Sequence, residues 1–271
     1  MIRLALLVLA LTVSACAART PPRPVGAPAA DPTAIDAFTK ATAGCRGFRS
    51  LTGELSLSGR AAGERLRGRV IAGLESGGSV RLEGVAPFGP PIFILAGKGE
   101  MATLLLPHEH RVLKDTAVSA VLERLTGLAL GADDLRLMVS GCLVDNAVPI
   151  EGKRWPGGWQ AVTLAPDRVA YLRLLQGQPV VVAADYGPWH LDYSAHLSGY
   201  PRVLRVRRLR QGFGAQGREG EAITDVTARV GELEVNTAIN PLAFTLEVPA
   251  DADPMTLDEL RSVAPLVPKE P

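Results

Sequence analysis

The sequence predicts an α+β protein: a large, curved antiparallel β-sheet with helices laid over its concave face. Three observations predict it. From residue 50 onward, apolar and polar residues alternate in one segment after another, with Gly- and Pro-containing turns between them, as half-buried strands require. A helical period surfaces in only a few places, near residues 31–45, 118–127 and 133–141. Runs of strands with a few segregated helices are the pattern of an antiparallel α+β fold, whereas a doubly wound parallel sheet would alternate strand with helix.

The N-terminus sets the compartment. Arg3, the apolar run 4–13 and Ser14-Ala15 describe a secretory signal peptide over residues 1–15. The run is shorter than the roughly 20 apolar residues that span a bilayer. Val13-Ser14-Ala15-Cys16 resembles a bacterial lipobox, which implies an acylated Cys16 at the mature N-terminus; the other reading is an ordinary signal peptide with an incidental Cys. Acylation with two or more chains anchors a protein stably. Ala17 stands where an Asp would accompany inner-membrane retention, so the resemblance implies the outer membrane, periplasmic face. Residues 16–31, rich in Pro and Ala, read as a tether, 32–255 as the folded domain and 256–271 as a loose tail. Three cysteines occur; with Cys16 given to lipid, Cys45 and Cys142 remain. In an oxidising compartment a disulfide is their expected state, two separate buried thiols the alternative.

Within the domain, Asp31 and Pro32 open a first helix whose Ile35, Phe38 and Thr42 share a face and which ends at Cys45. Leu51, Leu55 and Leu57 alternate with polar residues, and 64–74 and 78–85 continue that pattern. Residues 91–96 and 101–106 are nearly continuous apolar runs, expected deep in the sheet. Val118, Val121, Leu122 and Leu125 then follow helical spacing up to Gly127, and Asp133 and Asp134 open a helix carrying Leu135, Met138 and Val139 that Gly141 ends. Further strands are expected at 160–164, 169–175, 180–184, 190–195, 202–209, 222–230 and 233–239.

Between two of these strands stands Pro87-Phe88-Gly89, followed by Pro90-Pro91. Pro and Gly dictate a stiff turn, and a turn normally faces water, yet its centre is a large apolar ring. Either Phe88 tucks under the turn into the core, or it is presented outward to a membrane.

The order strand, Pro-x-Gly turn, strand, helix with Leu125-Thr126-Gly127, then Asp134-Leu135-Arg136 and Gly141, resembles the LolB outer-membrane lipoprotein receptors and, more distantly, the LolA/LppX-like group. The resemblance covers about residues 35–142. It implies a half-open β-barrel whose helices form a lid over an apolar cavity. It also implies a receptor that takes lipoproteins from a LolA-type periplasmic carrier and inserts them into the outer membrane. Pro87, Phe88 and Gly89 match that family's protruding insertion loop, with Phe where the family usually carries Leu. The C-terminal half has no such match. For an acyl-binding cavity the candidate lining residues are Leu55, Leu57, Val70, Leu82, Ile94, Leu104, Leu122, Leu125, Leu135 and Met138, all of which equally suit a filled core.

Other motifs carry little. The run 212–217 matches GxGxxG, but an alternating strand follows where a dinucleotide site needs a helix. His108-Glu109-His110 follows a Pro in a turn and lacks a third metal ligand. His190 and His196 have no nucleophile at triad spacing. A net charge of +1 gives no field for nucleic acid. Arg202, Arg205, Arg207, Arg208 and Arg210 alternate with apolar residues, as a solvent-facing sheet surface or as a site for anionic lipid or an acidic partner. The chain therefore reads as a non-enzyme without cofactor or metal, a lipid-anchored binder of lipoprotein acyl chains or another lipid. The alternative is a structural or assembly lipoprotein on the same fold.

Overall fold

The structure, a computed structural model, describes residues 23–61, 63–143, 148–209, 222–263 and 265–266. Cys16 with the lipobox, the GxGxxG run 212–217 and Arg210 lie outside the described residues. The chain opens with β1 (Ala29–Ala30) and α1 (Thr33–Ala41). A first meander follows: β2 (Ser50–Ala61), β3 (Glu64–Glu75), β4 (Ser79–Gly84), β5 (Phe93–Lys98), β6 (Met101–Leu106) and β7 (Arg111–Ala117). After α2 (Val118–Thr126) and α3 (Ala132–Ser140) comes a second: β8 (Glu151–Trp155), β9 (Trp159–Ala165), β10 (Arg168–Leu175), β11 (Gln178–Tyr186), β12 (Trp189–Ser194), β13 (Val203–Leu209) and β14 (Ala222–Val235). Residues 253–263 add β15 (Asp253–Pro254) and α4 (Leu257–Val263).

Each strand of a meander pairs antiparallel with the next, and β14 pairs with β2, Ala228 opposite Leu57, so that the described residues form one curved sheet of 15 strands that does not close among them. Its two edges are short: β1 pairs with β8 at one end and β15 runs parallel to β7 at the other. Two-residue edge strands leave little ladder for another chain to extend.

The alternation read from the sequence sets the faces. Leu51 and Leu55 of β2, Leu66, Val70 and Leu74 of β3, and Val80 and Leu82 of β4 are buried in one core with Leu204 and Val206 of β13. Each such side chain contributes about 1.5–3 kcal/mol when fully buried. Residues 222–230 and 233–239, expected as two strands, are largely one: β14 continues past Gly231 through a register shift between Val230 and Leu233. Gly53 makes room opposite, since a Cβ there would lie 2.5 Å from the Glu232 carbonyl oxygen. β7 and β8 were not among the expected strands; Lys114-Asp115 in β7 and Glu-Gly-Lys-Arg in β8 erase the period-2 signal.

The helices follow their sequence cues with one shift: α1 ends at Ala41, and Cys45, expected at its end, lies in a separate 3-10 turn, Ala43–Cys45. α1 buries Ala34 and Phe38 against β8–β11, while Ile35 and Thr42 are half-buried. Asp31 accepts from the Thr33 N–H at 3.1 Å and its hydroxyl at 2.6 Å. α2 buries Val118, Val121, Leu122 and Leu125, as its spacing predicted, and contacts β6, β7 and α4. Gly127 ends it at φ 72°, where a Cβ would stand 2.5 Å from the Ala61 Cβ, so both conformation and space require glycine. α3 contacts β2, β3 and β4 and ends at Gly141, φ 73°.

α3 is fastened at several points. Cys142 is bonded to Cys45, with Cα atoms 5.5 Å apart. Arg136 is fully buried; it donates to Asp133 at 3.1 Å and to the Phe48 carbonyl at 3.2 Å, and its guanidinium lies 5.0 Å from the Phe48 ring centroid. Tyr193 donates to the Met138 carbonyl at 3.0 Å, and Tyr186 to Asp134.

The described residues at both ends are docked. Residues 23–31, expected within the tether, lie on the second meander. Arg23 pairs with Asp185 and donates to the carbonyls of Ala184 (2.8 Å) and Leu191 (3.1 Å), and Trp155 donates to the Gly26 carbonyl at 2.9 Å. Residues 253–263 and 265–266, expected in part as a loose tail, pack onto the body as a strap. Thr256 and Glu259 make a reciprocal capping box on α4, with bonds of 2.7 and 3.3 Å, and Arg111 donates to Glu259 at 2.8 Å. Leu260 and Leu266 are buried, and the Leu266 carbonyl accepts from the Arg67 N–H at 3.1 Å on the stretch of β3 beyond its pairing with β4.

Two outcomes are expected. Cys45 and Cys142 are 97 residues apart; replacing both with Ser is expected to cost roughly 2–5 kcal/mol in urea unfolding, and an unchanged midpoint would contradict this. For the Arg23 contact, burial would raise the Asp185 carboxyl, but hydrogen bonding from His190 and the Arg23 charge outweigh it and hold the pKa down to about 2. A depressed acid pKa stabilises above the unfolded value of about 3.9 and ceases to do so as pH falls through the folded value. The melting-temperature difference between wild type and Arg23→Ala is thus expected to stay flat from about pH 7 to 5 and to narrow from about pH 4 to 2. A pH-independent difference in calorimetry would refute the assignment.

Candidate functional site

Beneath α2 and α3 the core is incompletely filled. A cavity of about 60 Å³ lies between these helices and the sheet, across the β14–β2 pairing, and only carbon surface faces it. The first meander supplies Leu55, Leu57, Val70, Leu82 and Phe93, and the second supplies Leu204, Val206, Val226 and Ala228. The helices and their linker add Leu122, Leu125, Leu128, Leu130, Leu135 and Met138. Thr126 also lines it, but its hydroxyl is turned to the Leu122 carbonyl at 2.8 Å.

The structure thus brings eight of the ten expected lining residues together: Leu55, Leu57, Val70, Leu82, Leu122, Leu125, Leu135 and Met138. Ile94 and Leu104 are not among them. Ile94 is half-buried on the other side of β5 from Phe93 and Leu95, because side chains alternate along a strand and a continuous apolar run hides which parity points inward. Leu104 is fully buried in the core but away from the cavity wall. Leu204, Val206, Val226 and Ala228 escaped the sequence reading, although each falls on the apolar parity of its own strand. Leu266 escaped it too; it is 1% exposed and reaches the cavity from the strap.

The volume limits what the site holds at rest. Pockets for small molecules run from about 300 to 1,000 Å³, several times the present space, so an acyl chain requires the roof to move. The two roof helices differ in how firmly they are held. α3 carries the disulfide, Arg136 and the two tyrosine hydrogen bonds described above. α2 continues directly from β7 and its Val118 N–H donates to the Glu100 carbonyl at 2.8 Å, but beyond that start the described residues hold it by apolar packing and, through Arg124, by an ion pair to Asp258 at 3.4 Å. Gly127 and Gly131 flank the linker between them. The C-terminal end of α2 is therefore the less firmly fastened part of the roof.

Phe88 is 91% exposed at the tip of a loop between β4 and β5. The loop is closed at its base by the Ile92 N–H donating to the Gly84 carbonyl and Val85 N–H to that of Arg69, both 2.8 Å. His108 Nε2 donates to the Pro90 carbonyl at 3.1 Å, and Gly89 sits at φ 81°. The ring is held outward. His108 and His110 remain in the β6–β7 turn, and among the described residues no group of three or more His, Cys, Asp or Glu could hold a metal ion.

The arginine run is spent largely on pairing across strands. Arg205 makes two bonds to Asp225 (2.7 and 2.6 Å), Arg207 reaches Asp192 at 2.9 Å, and Arg202 donates to the Gly231 carbonyl at 2.7 Å. Arg208 lies 5.7 Å from the Trp189 ring centroid. Among the described residues no helix is long and apolar enough to cross a membrane.

No protein-family model matches the chain, and no curated protein matches it. Solved structures similar to it include a DUF1329 family protein from Desulfovibrio piger (13% identity, 79% of this chain and 96% of that chain, TM-score 0.45). Others are a domain assigned to outer membrane lipoprotein sorting from Vibrio parahaemolyticus (11%, 78% and 95%, 0.43) and the lipoprotein LppX of Mycobacterium tuberculosis (9%, 78% and 98%, 0.32). At TM-scores below 0.5 these likenesses carry no functional argument.

Leu266→Ala is expected to cost about 2–4 kcal/mol and to bring the cavity toward the roughly 150 Å³ that binds benzene in other apolar cores. Benzene should then raise the variant's melting temperature and leave the wild type unchanged. No response in either would show that the wall collapses into the space.

Proposed function

We propose that this chain is a lipid-anchored protein of the outer membrane, facing the periplasm, that receives lipoproteins from a LolA-type carrier and inserts them into the bilayer. The observation that carries this reading is the carbon-only cavity beneath two short helices, which fits an acyl chain's chemistry once α2 swings aside. Pro87, Phe88 and Gly89 form the membrane-contacting loop: a ring held in water by closed loop geometry gains roughly 1.5–3 kcal/mol on burial, enough to engage a bilayer when Cys16 already holds the protein there. The role needs neither catalysis nor a cofactor.

The size of the cavity favours a second reading. About 60 Å³ is close to a filled core, and a filled core suits a structural or assembly lipoprotein that uses its surface alone.

Transfer of a lipoprotein from a LolA-type carrier into liposomes separates the two. The wild type is expected to transfer, and Phe88→Glu, folded to the same melting temperature, to lose most of that activity. Transfer by neither protein from a cognate carrier would defeat the receptor reading and leave the assembly role.

A further inference from the structure

A second cavity, of about 500 Å³, opens at the C-terminal end of α2, beside the β2–β3 hairpin. Leu125 and Thr126 line both it and the apolar cavity, so two residues of α2 stand between the two spaces. Their chemistry is opposite. Arg65, Arg124, Arg208 and Arg261 line the outer space, with Glu64 and Glu123 as its carboxylates. Arg124 is engaged by Asp258 and Arg208 lies over Trp189. Arg65 and Arg261 carry no ion pair or hydrogen bond among the described residues, and both are exposed. The end of α2 adds partial negative charge, which the excess of guanidinium outweighs.

We propose that this cleft is the headgroup subsite for an anionic amphiphile whose single tail enters the apolar cavity. The proposal rests on the acyl-binding reading and goes beyond it, because the acylated cysteine of a lipoprotein carries no anionic headgroup. Guanidinium forks match carboxylate and phosphate oxygens in pairs, and the carbon-only inner space admits only the apolar part of such a molecule. Leu125 and Thr126, which line both spaces, mark the boundary between head and tail, and the tail enters once α2 shifts.

Leu266 marks the tail's position. Its side chain already occupies the cavity wall, and it sits on the strap that also carries Arg261. Withdrawal of Leu266 from β3 would enlarge the inner space. The register places this cleft at the end of the sheet from which the Phe88 loop projects. β3 pairs with Gly84 at Val70, and both the β2–β3 turn and the loop lie beyond that point in the same direction.

The test is displacement of a fluorescent polyene fatty acid from the full chain. The competitors are hexadecanoate, hexadecyl phosphate and methyl hexadecanoate, with inorganic phosphate alone as the tail-less control. At least one anionic amphiphile is expected to bind about tenfold or more tighter than the neutral ester, a difference of roughly 1.4 kcal/mol. In Arg65→Ala/Arg208→Ala, checked for an unchanged fold by circular dichroism, that preference should fall to within about twofold. The relative strength of the carboxylate and phosphate arms identifies the headgroup. Equal binding of anionic and neutral competitors would overturn the headgroup subsite and leave the acyl-binding reading standing. So would a preference that survives the double variant. Displacement by inorganic phosphate alone would overturn the amphiphile in favour of a small-anion site. Failure of the fluorescent acid and every competitor to bind would overturn the acyl-binding reading itself, and this subsite with it.

Discussion

The pairing of β14 with β2 is the interaction on which the rest of the molecule depends. Every other long strand pair joins neighbours in the sequence, so each meander is built from local turns. The β14–β2 seam alone makes them one sheet, joining Leu57 to Ala228 across most of the chain. The apolar cavity straddles that seam, with walls from both meanders, and exists only once it has formed. The seam also explains two glycines that would otherwise look like strand breakers. Gly53 admits the bulge at Glu232, and Gly59, where a Cβ would stand 2.1 Å from the Asp225 carbonyl oxygen, lets the strands approach at the other end.

Much of this was legible in the sequence wherever one residue type answers one physical need. Leu55, Leu57, Val70 and Leu82 announced the inner face because polar neighbours alternate with them. Val118 to Leu125 announced α2, and Gly127 and Gly141 its end and that of α3, because only glycine accepts those backbone angles without strain. Illegible were the features that depend on distant partners. Arg136 reads as a surface residue of a helix until Phe48 arrives from 88 residues away to cover it. Leu266 sits among prolines in what reads as a tail, and nothing local says that β3 has a bare stretch to receive it. Ile94 was misplaced for the opposite reason: among Phe93, Leu95 and Ala96 there is no polar residue to reveal the phase of the strand.

The candidate site divides labour between rigidity and looseness. α3 is riveted by a buried guanidinium and two tyrosines, with a disulfide just past its end, whereas α2, past its backbone bond at Val118, rests on apolar packing and an exposed ion pair. Non-directional contacts can be remade after a slide, while buried hydrogen bonds must be broken outright. An opening of the roof therefore runs through α2 and the strap packed on it, and spares the disulfide end.

The docking of Arg23 has a geometric consequence. For a chain anchored at Cys16, only seven peptide steps separate the lipid from the point where Arg23 grips β11 and β12. At no more than about 3.6 Å per residue, that leash spans roughly 25 Å at full stretch. A free tether to residue 31 would more than double the reach. Were Cys16 acylated, as proposed, so short a leash would keep the second meander within about one domain's thickness of the bilayer and restrict how far the body could tumble. The anchored protein then behaves less like a balloon on a string than like a hinged plate with a narrow arc of approach.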